Sequence, residues 1–227
     1  MFRRMLLAAV LAGGIGGLFA SALQAWQVVP LIHAAERYEA EGRASHGGGA
    51  HGHAEAQAGM GEPEGAVRVV LTVVSNLTAG IGFALVLIGA MAIRGAPVDA
   101  RRGVAWGLGG FAAFAAAPAL GLPPELPGTM AADLFARQGW WAFTAMATAG
   151  ALWLLAFRHE PPAMAIGVGL LALPHLVGAP HAEGFAGVIP AELAARYAAA
   201  VLVTAGLFWV ALGALAGHFW RRLGSEG

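Results

Sequence analysis

The chain has 227 residues, of which 58% are hydrophobic and 11% charged, against roughly 25% charge in an ordinary soluble domain; that ratio excludes a soluble globular fold. Its 13 basic residues, all arginine, balance 13 acidic ones, so no long-range field favours nucleic acid as a partner. There is no cysteine, which removes disulfides, thiolate metal sites, iron–sulfur clusters and cysteine nucleophiles together.

A membrane span needs about 20 apolar residues. Six stretches free of Asp, Glu, Arg and Lys satisfy this, at 5–32, 69–93, 103–124, 138–157, 161–180 and 197–220. They are too long for half-buried strands and lack a period-two alternation, so they predict an all-α, polytopic membrane helical bundle of about six transmembrane helices. The whole chain, 1–227, reads as one integral membrane domain. Arg3, Arg4 and Ala20-Ser21-Ala22 in the first stretch fit a cleaved secretory signal, which would leave five spans. The apolar run continues past Ala22 to Ile32, which favours a span instead.

Residues 33–66 are expected to form an extracytoplasmic Gly/His/Glu-rich loop, with His46, His51 and His53 on a glycine-rich tract flanked by glutamates. Imidazole and carboxylate donors without thiolate suit borderline or hard divalent ions, with weak and labile binding. Beyond the loop, Thr72, Ser75 and Asn76 are spaced to share one helical face of the second span, followed by Gly80 and Gly82. That face serves either as part of an ion pathway or as interhelical hydrogen-bonding glue, and the sequence leaves both open.

Before the second, fourth and sixth spans the same acid-x-x-x-Arg pair recurs: Glu64 with Arg68, Asp133 with Arg137, Glu192 with Arg196. Each spacing is one helical turn and suits an i,i+4 pair at a helix start. Pro30, Pro118 and Pro174 sit near the outer ends of the first, third and fifth spans. Together these regularities predict three helical hairpins. Gly13 with Gly17, Gly103 with Gly107 and Gly213 with Gly217 form GxxxG pairs. A chain with 34 glycines yields such pairs by chance, so no interface is read from them.

The sharpest metal-ligating candidate is Leu173-Pro174-His175-Leu176-Val177-Gly178-Ala179-Pro180-His181. A histidine at membrane depth is costly unless partnered. Gly178 and Pro180 are expected to end or bend the helix between the two histidines, so that His175 and His181 converge on one ion or pass it on; a packed, hydrogen-bonded His175 is the alternative. His159 and His218 lack clustered partners and read as structural.

Arginine concentrates on the cytoplasmic side of bacterial membranes. With the N-terminus inside, eight arginines fall inside and five outside, while ten of the acids fall outside. Both termini are therefore expected in the cytoplasm, with the chain multi-pass in the inner membrane. With no lysine, a Walker A loop is impossible, and neither H-E-x-x-H nor G-x-S-x-G occurs. No catalytic residue is nominated, and an enzyme is not expected.

Several blocks together carry a family resemblance. They are Met1-Phe2-Arg3-Arg4, Arg102-Gly103-x-x-Trp106-Gly107-Leu108-Gly109-Gly110-Phe111, the run from Ala117-Pro118 to Pro127-Gly128, Ala132-Asp133-Leu134-x-Ala136-Arg137-Gln138-x-Trp140-Trp141, Pro174-His175-Leu176-x-Gly178-Ala179-Pro180-His181 and Pro190-Ala191-Glu192-Leu193. In this combination the chain resembles the CbtA family of predicted cobalt transporter subunits. The resemblance implies a bacterial membrane subunit that supplies cobalt(II) to cobalamin synthesis as transported ion, with no tightly bound cofactor. It also implies a small single-span partner, CbtB, with a histidine-rich tail. It transfers no established ligand set, so the candidate residues rest on the sequence reading alone.

Overall fold

The computed structural model describes residues 1–45, 65–127, 129–182 and 189–224, and among them every regular element is helical. Helix α1, Phe2–Leu23, runs through a π-helical turn, Gln24–Val28, into α2, Val29–Ser45. Helix α3 is Gly65–Arg94. Helix α4, Ala100–Phe111, runs through a second π-helical turn, Ala112–Ala116, into the short α5, Ala117–Ala119. Helices α6, Leu134–Phe157, α7, Pro161–Val177, and α8, Ala191–Arg222, complete the bundle.

Four helices are long and apolar enough to cross a membrane by length and composition: Phe2–Gly42, Gly65–Arg94, Leu134–Phe157 and Ala191–Arg222. The fifth expected span is shorter. Helix α7 has 17 residues, about 26 Å at 1.5 Å per residue. It stops at Val177 because Gly178 takes φ +84°, a conformation glycine alone adopts cheaply. The third span also ends early, at Ala119 rather than 124, since Pro123 and Pro124 follow.

The expected loop at 33–66 is displaced. Helix continues through His33 to Ser45 and resumes at Gly65, because Ala34 to Ala44 is rich in helix-forming Ala, Glu and Arg. His46, His51 and His53 lie outside the described residues.

Both π turns have one cause. Pro30 and Pro118 each stand two residues beyond such a turn. A proline inside a helix has no N–H to give, and its ring collides with the carbonyl four residues back. The helix relaxes by widening: Val29 N–H bonds to Gln24 O and Ala117 N–H to Ala112 O, each five residues back.

Packing departs from three sequential hairpins. The first and second spans pair as α1 with α3, but the third packs on the sixth, as α4 with α8, and the fourth on the fifth, as α6 with α7. Small residues decide this. A Cβ on Gly17 would lie 2.8 Å from Leu77 Cα, and one on Gly103 would lie 3.0 Å from the Gly213 carbonyl carbon. Gly107 and Gly217 likewise leave no room before the backbones of Trp209 and Asp99. The three GxxxG pairs, uninformative as a count, thus form the two closest helix contacts within the chain. Where α1, α3 and α8 meet, Ala8, Ala12, Ala84, Ile88, Met91 and Leu212 are buried. Outward-facing Leu7, Ile15, Val70, Val74, Met146 and Leu176 are exposed, as a lipid-facing surface requires.

Candidate functional site

The close approach of α1 and α3 at Gly13, Gly17 and Gly80 sets up the site, because polar side chains just beyond it are forced together. Asn76 Nδ2 donates to Ser21 Oγ at 3.0 Å and to Gln24 Oε1 at 2.8 Å. Ser21 Oγ donates to Gly17 O at 2.9 Å. Within the π turn, Gln27 Oε1 accepts from Thr204 Oγ1 of α8 at 3.2 Å. Unsatisfied polar groups in hydrocarbon cost several kcal/mol. The Asn76 and Thr204 bonds therefore serve as cross-helix glue of about 0.6 kcal/mol each on average, while the Ser21 bond to Gly17 O satisfies that hydroxyl within α1. The same hydroxyl and carboxamide oxygens are also neutral donors suited to a cation. Below them the glycine contacts bring the two backbones together, so the seam is closed at this level.

Of the expected polar face on α3, Asn76 alone points into the bundle. Thr72 and Ser75 are exposed, and Thr72 Oγ1 donates to Arg68 O of its own helix at 2.9 Å. A 3.6-residue helix cannot turn all three inward when its partner is a narrow glycine seam. Ser21, Gln24, Gln27 and Thr204 were missed by the sequence reading. Their signal was Gln24-x-x-Gln27 inside an apolar run, one turn before Pro30.

Farther along the same two helices, Glu36 binds His33 Nδ1 at 2.9 Å and Arg68 Nη1 at 3.2 Å. The twelve residues from Gln24 to Glu36 correspond to about 18 Å of helix. Arg68 is thus joined to α2; Glu64, its expected partner, lies outside the described residues. The other two recurrent pairs are not formed. Arg137 pairs with Glu125 at 3.0 Å, while Asp133 caps α6 by accepting from Ala136 N–H at 2.9 Å. A carboxylate at an N-cap gains more from the free N–H than from an exposed arginine. Glu192 and Arg196 form no ion pair among the described residues.

His175 is exposed on the last turn of α7, its ring 6.1 Å from that of Trp140, whose indole N–H donates to Pro174 O at 3.3 Å. His181 is exposed beyond the Gly178 turn, so the helix does end between the two histidines. Among the described residues, no group of three or more His, Asp or Glu side chains assembles to hold a metal ion.

The family model for CbtA, described as a probable cobalt transporter subunit, matches residues 2–221, nearly the whole chain. The chain belongs to the CbtA family. No curated protein and no solved structure matches it. It is therefore a membrane protein and a subunit of a metal transporter by family, a class distinct from enzymes. Among CbtA chains the description as a subunit implies a complex with a partner.

Proposed function

We propose that this chain is the membrane subunit of a cobalt(II) uptake system serving cobalamin synthesis, set in the bacterial inner membrane with both termini cytoplasmic. Its partner on this reading is the single-span, histidine-tailed CbtB. Cobalt(II) is the cargo, and no cofactor is needed. The ion is captured at the end of the bundle that carries His33, Glu36, His175 and His181, with His46, His51 and His53 as a collecting tether. It then descends the seam between α1 and α3 past Gln24, Ser21 and Asn76. The observation that carries this is the run of polar side chains on one helix pair, from the Glu36 ion pairs down to the Asn76 cluster.

A second reading is favoured by the closed glycine seam: a membrane metal-binding or assembly protein that hands ions to a partner without conducting them. Reconstitution in sealed liposomes separates the two. Cobalt entering the lumen, with the chain alone or with its single-span partner, supports transport. Surface binding without entry in both preparations supports delivery and contradicts the conducting role.

A further inference from the structure

The backbones of α3 and α6 stay apart along their length, bridged at one end by the Arg94–Phe157 side-chain contact; α4 lies between them and touches each only lightly. The gap is an apolar groove of about 750 Å³, within the size range of ligand cavities. Its walls are Leu87 and Ala90 of α3, Ala105 and Gly109 of α4, and Leu152 and Trp153 of α6. At one end stand Arg94 and Arg102. The other end is closed by Phe114, whose ring lies 5.2 Å from Phe83 and 5.5 Å from Trp209.

Three features select an occupant. The groove runs along α4 from Arg102 to Phe114, twelve residues or about 18 Å, which is one leaflet of a roughly 30 Å hydrocarbon core. A partner transmembrane helix needs the full thickness and would meet the aromatic stop at Phe114 halfway. The mouth is cationic, and among the described residues no acid lines the groove. Arg94 makes a cation–π contact with Phe157 at 4.9 Å and Arg102 Nη1 donates to Pro97 O at 2.7 Å; among the described residues neither forms an ion pair. The nearest carboxylate, Asp99, is held below its ordinary pKa, chiefly by the Arg102 backbone N–H it accepts at 2.9 Å as the α4 cap. Finally, the rings of Trp106 and Trp153 meet in a tilted pair 6.2 Å apart beside the mouth, the depth at which aromatic belts meet headgroups.

We propose that this groove binds an anionic phospholipid from the leaflet on the side of the two termini, with its phosphate on the Arg94 and Arg102 guanidiniums and an acyl chain along α4 to Phe114. Guanidinium forks match phosphate oxygens in two-point contacts, and basic pockets between helices are a known mode of headgroup capture. The full chain, purified in mild detergent, is titrated with phosphatidylglycerol or phosphatidylcholine and bound lipid is counted by native mass spectrometry. Wild type should retain phosphatidylglycerol at least tenfold better than phosphatidylcholine. R94Q/R102Q should lose that preference. Gly109→Leu, where an added Cβ meets nothing within 4 Å, should fill the groove without disturbing the fold and lower retention at least tenfold. Equal retention of the two lipids by wild type, or unchanged retention in both variants, overturns the proposal. So does a photo-crosslinker at position 109 that joins the chain to a polypeptide instead of a lipid.

Discussion

The guanidinium of Arg4 lies 3.9 Å over the ring of Trp220 and its Nε donates to the Trp220 carbonyl at 3.0 Å. The first turn of α1 is thereby tied to the last turn of α8, and the two termini share one end of the bundle. That end also carries Arg94, Arg101, Arg102, Arg158, Arg221 and Arg222 with few acids, whereas Glu36, Glu125, Asp133 and Glu192 gather at the other. An even number of crossings and a polarised charge pattern are two independent consequences of the same chain path.

The arginine-rich end should face the cytoplasm. A fluorescent reporter that matures only in the cytoplasm, fused after Gly227, should be bright, and alkaline phosphatase fused there should be inactive. The reverse pair of signals inverts every inside and outside label.

Glycine contacts should separate sharply by position. Gly107→Leu places a side chain into the Trp209 backbone and Gly17→Leu one into Leu77. Each should destabilise by about 3 kcal/mol or more, through overpacking that two backbones in contact cannot relieve. Gly14→Leu, at a position where an added Cβ meets nothing within 4 Å, should melt close to wild type. Detergent thermal-shift measurements decide it, and equal melting of the three variants would refute the seam as the organising contact.

This contrast also marks what the sequence could and could not convey. The helical class was legible because uncharged runs of 20 or more residues have no other stable form in lipid. Helix pairing was not, because GxxxG at a glycine content this high carries no statistical weight until the facing residues are known. The third span's choice of α8 over α6 rests on Gly213 and Gly217 lying more than a hundred residues from Gly103. The Asp133–Arg137 spacing misled for a related reason: a local pair worth tenths of a kcal/mol yields to a helix cap for Asp133 and to the Glu125 carboxylate for Arg137. At the site, Asn76 was visible as a lone amide in an apolar span. Its partners Ser21 and Gln24 became visible only when the α1–α3 seam fixed which faces met.

Pro30 should matter through the π turn it imposes. Pro30→Ala lets Gln24–Val28 relax to a regular helix and rotates Gln24 and Gln27 away from Asn76 and Thr204. We expect normal membrane expression with at least a severalfold fall in cobalt uptake. Unchanged uptake would leave the π turn without a role in transport.

His175 and His181 are exposed at the end opposite the termini and supply at most two imidazole ligands, fitting capture more than tight binding. His175→Ala and His181→Ala should each raise half-saturation for cobalt about tenfold, equivalent to ~1.4 kcal/mol, and leave the maximal rate near wild type. His175→Gln should preserve the packing against Trp140 while keeping the affinity defect. An unchanged half-saturation in both Ala variants, correctly inserted, removes these residues from the entry path.

The most direct measurement is cobalt accumulation in sealed proteoliposomes containing the chain and its single-span partner, comparing wild type with Asn76→Leu. Leucine keeps the volume and the helix and removes the amide that joins Ser21 and Gln24. At the hydrogen-bond values typical of membranes, it should cost no more than about 2 kcal/mol of stability. The account predicts normal insertion and surface binding with luminal cobalt reduced at least tenfold. Wild-type accumulation by the Asn76→Leu protein would contradict a route through the α1–α3 seam.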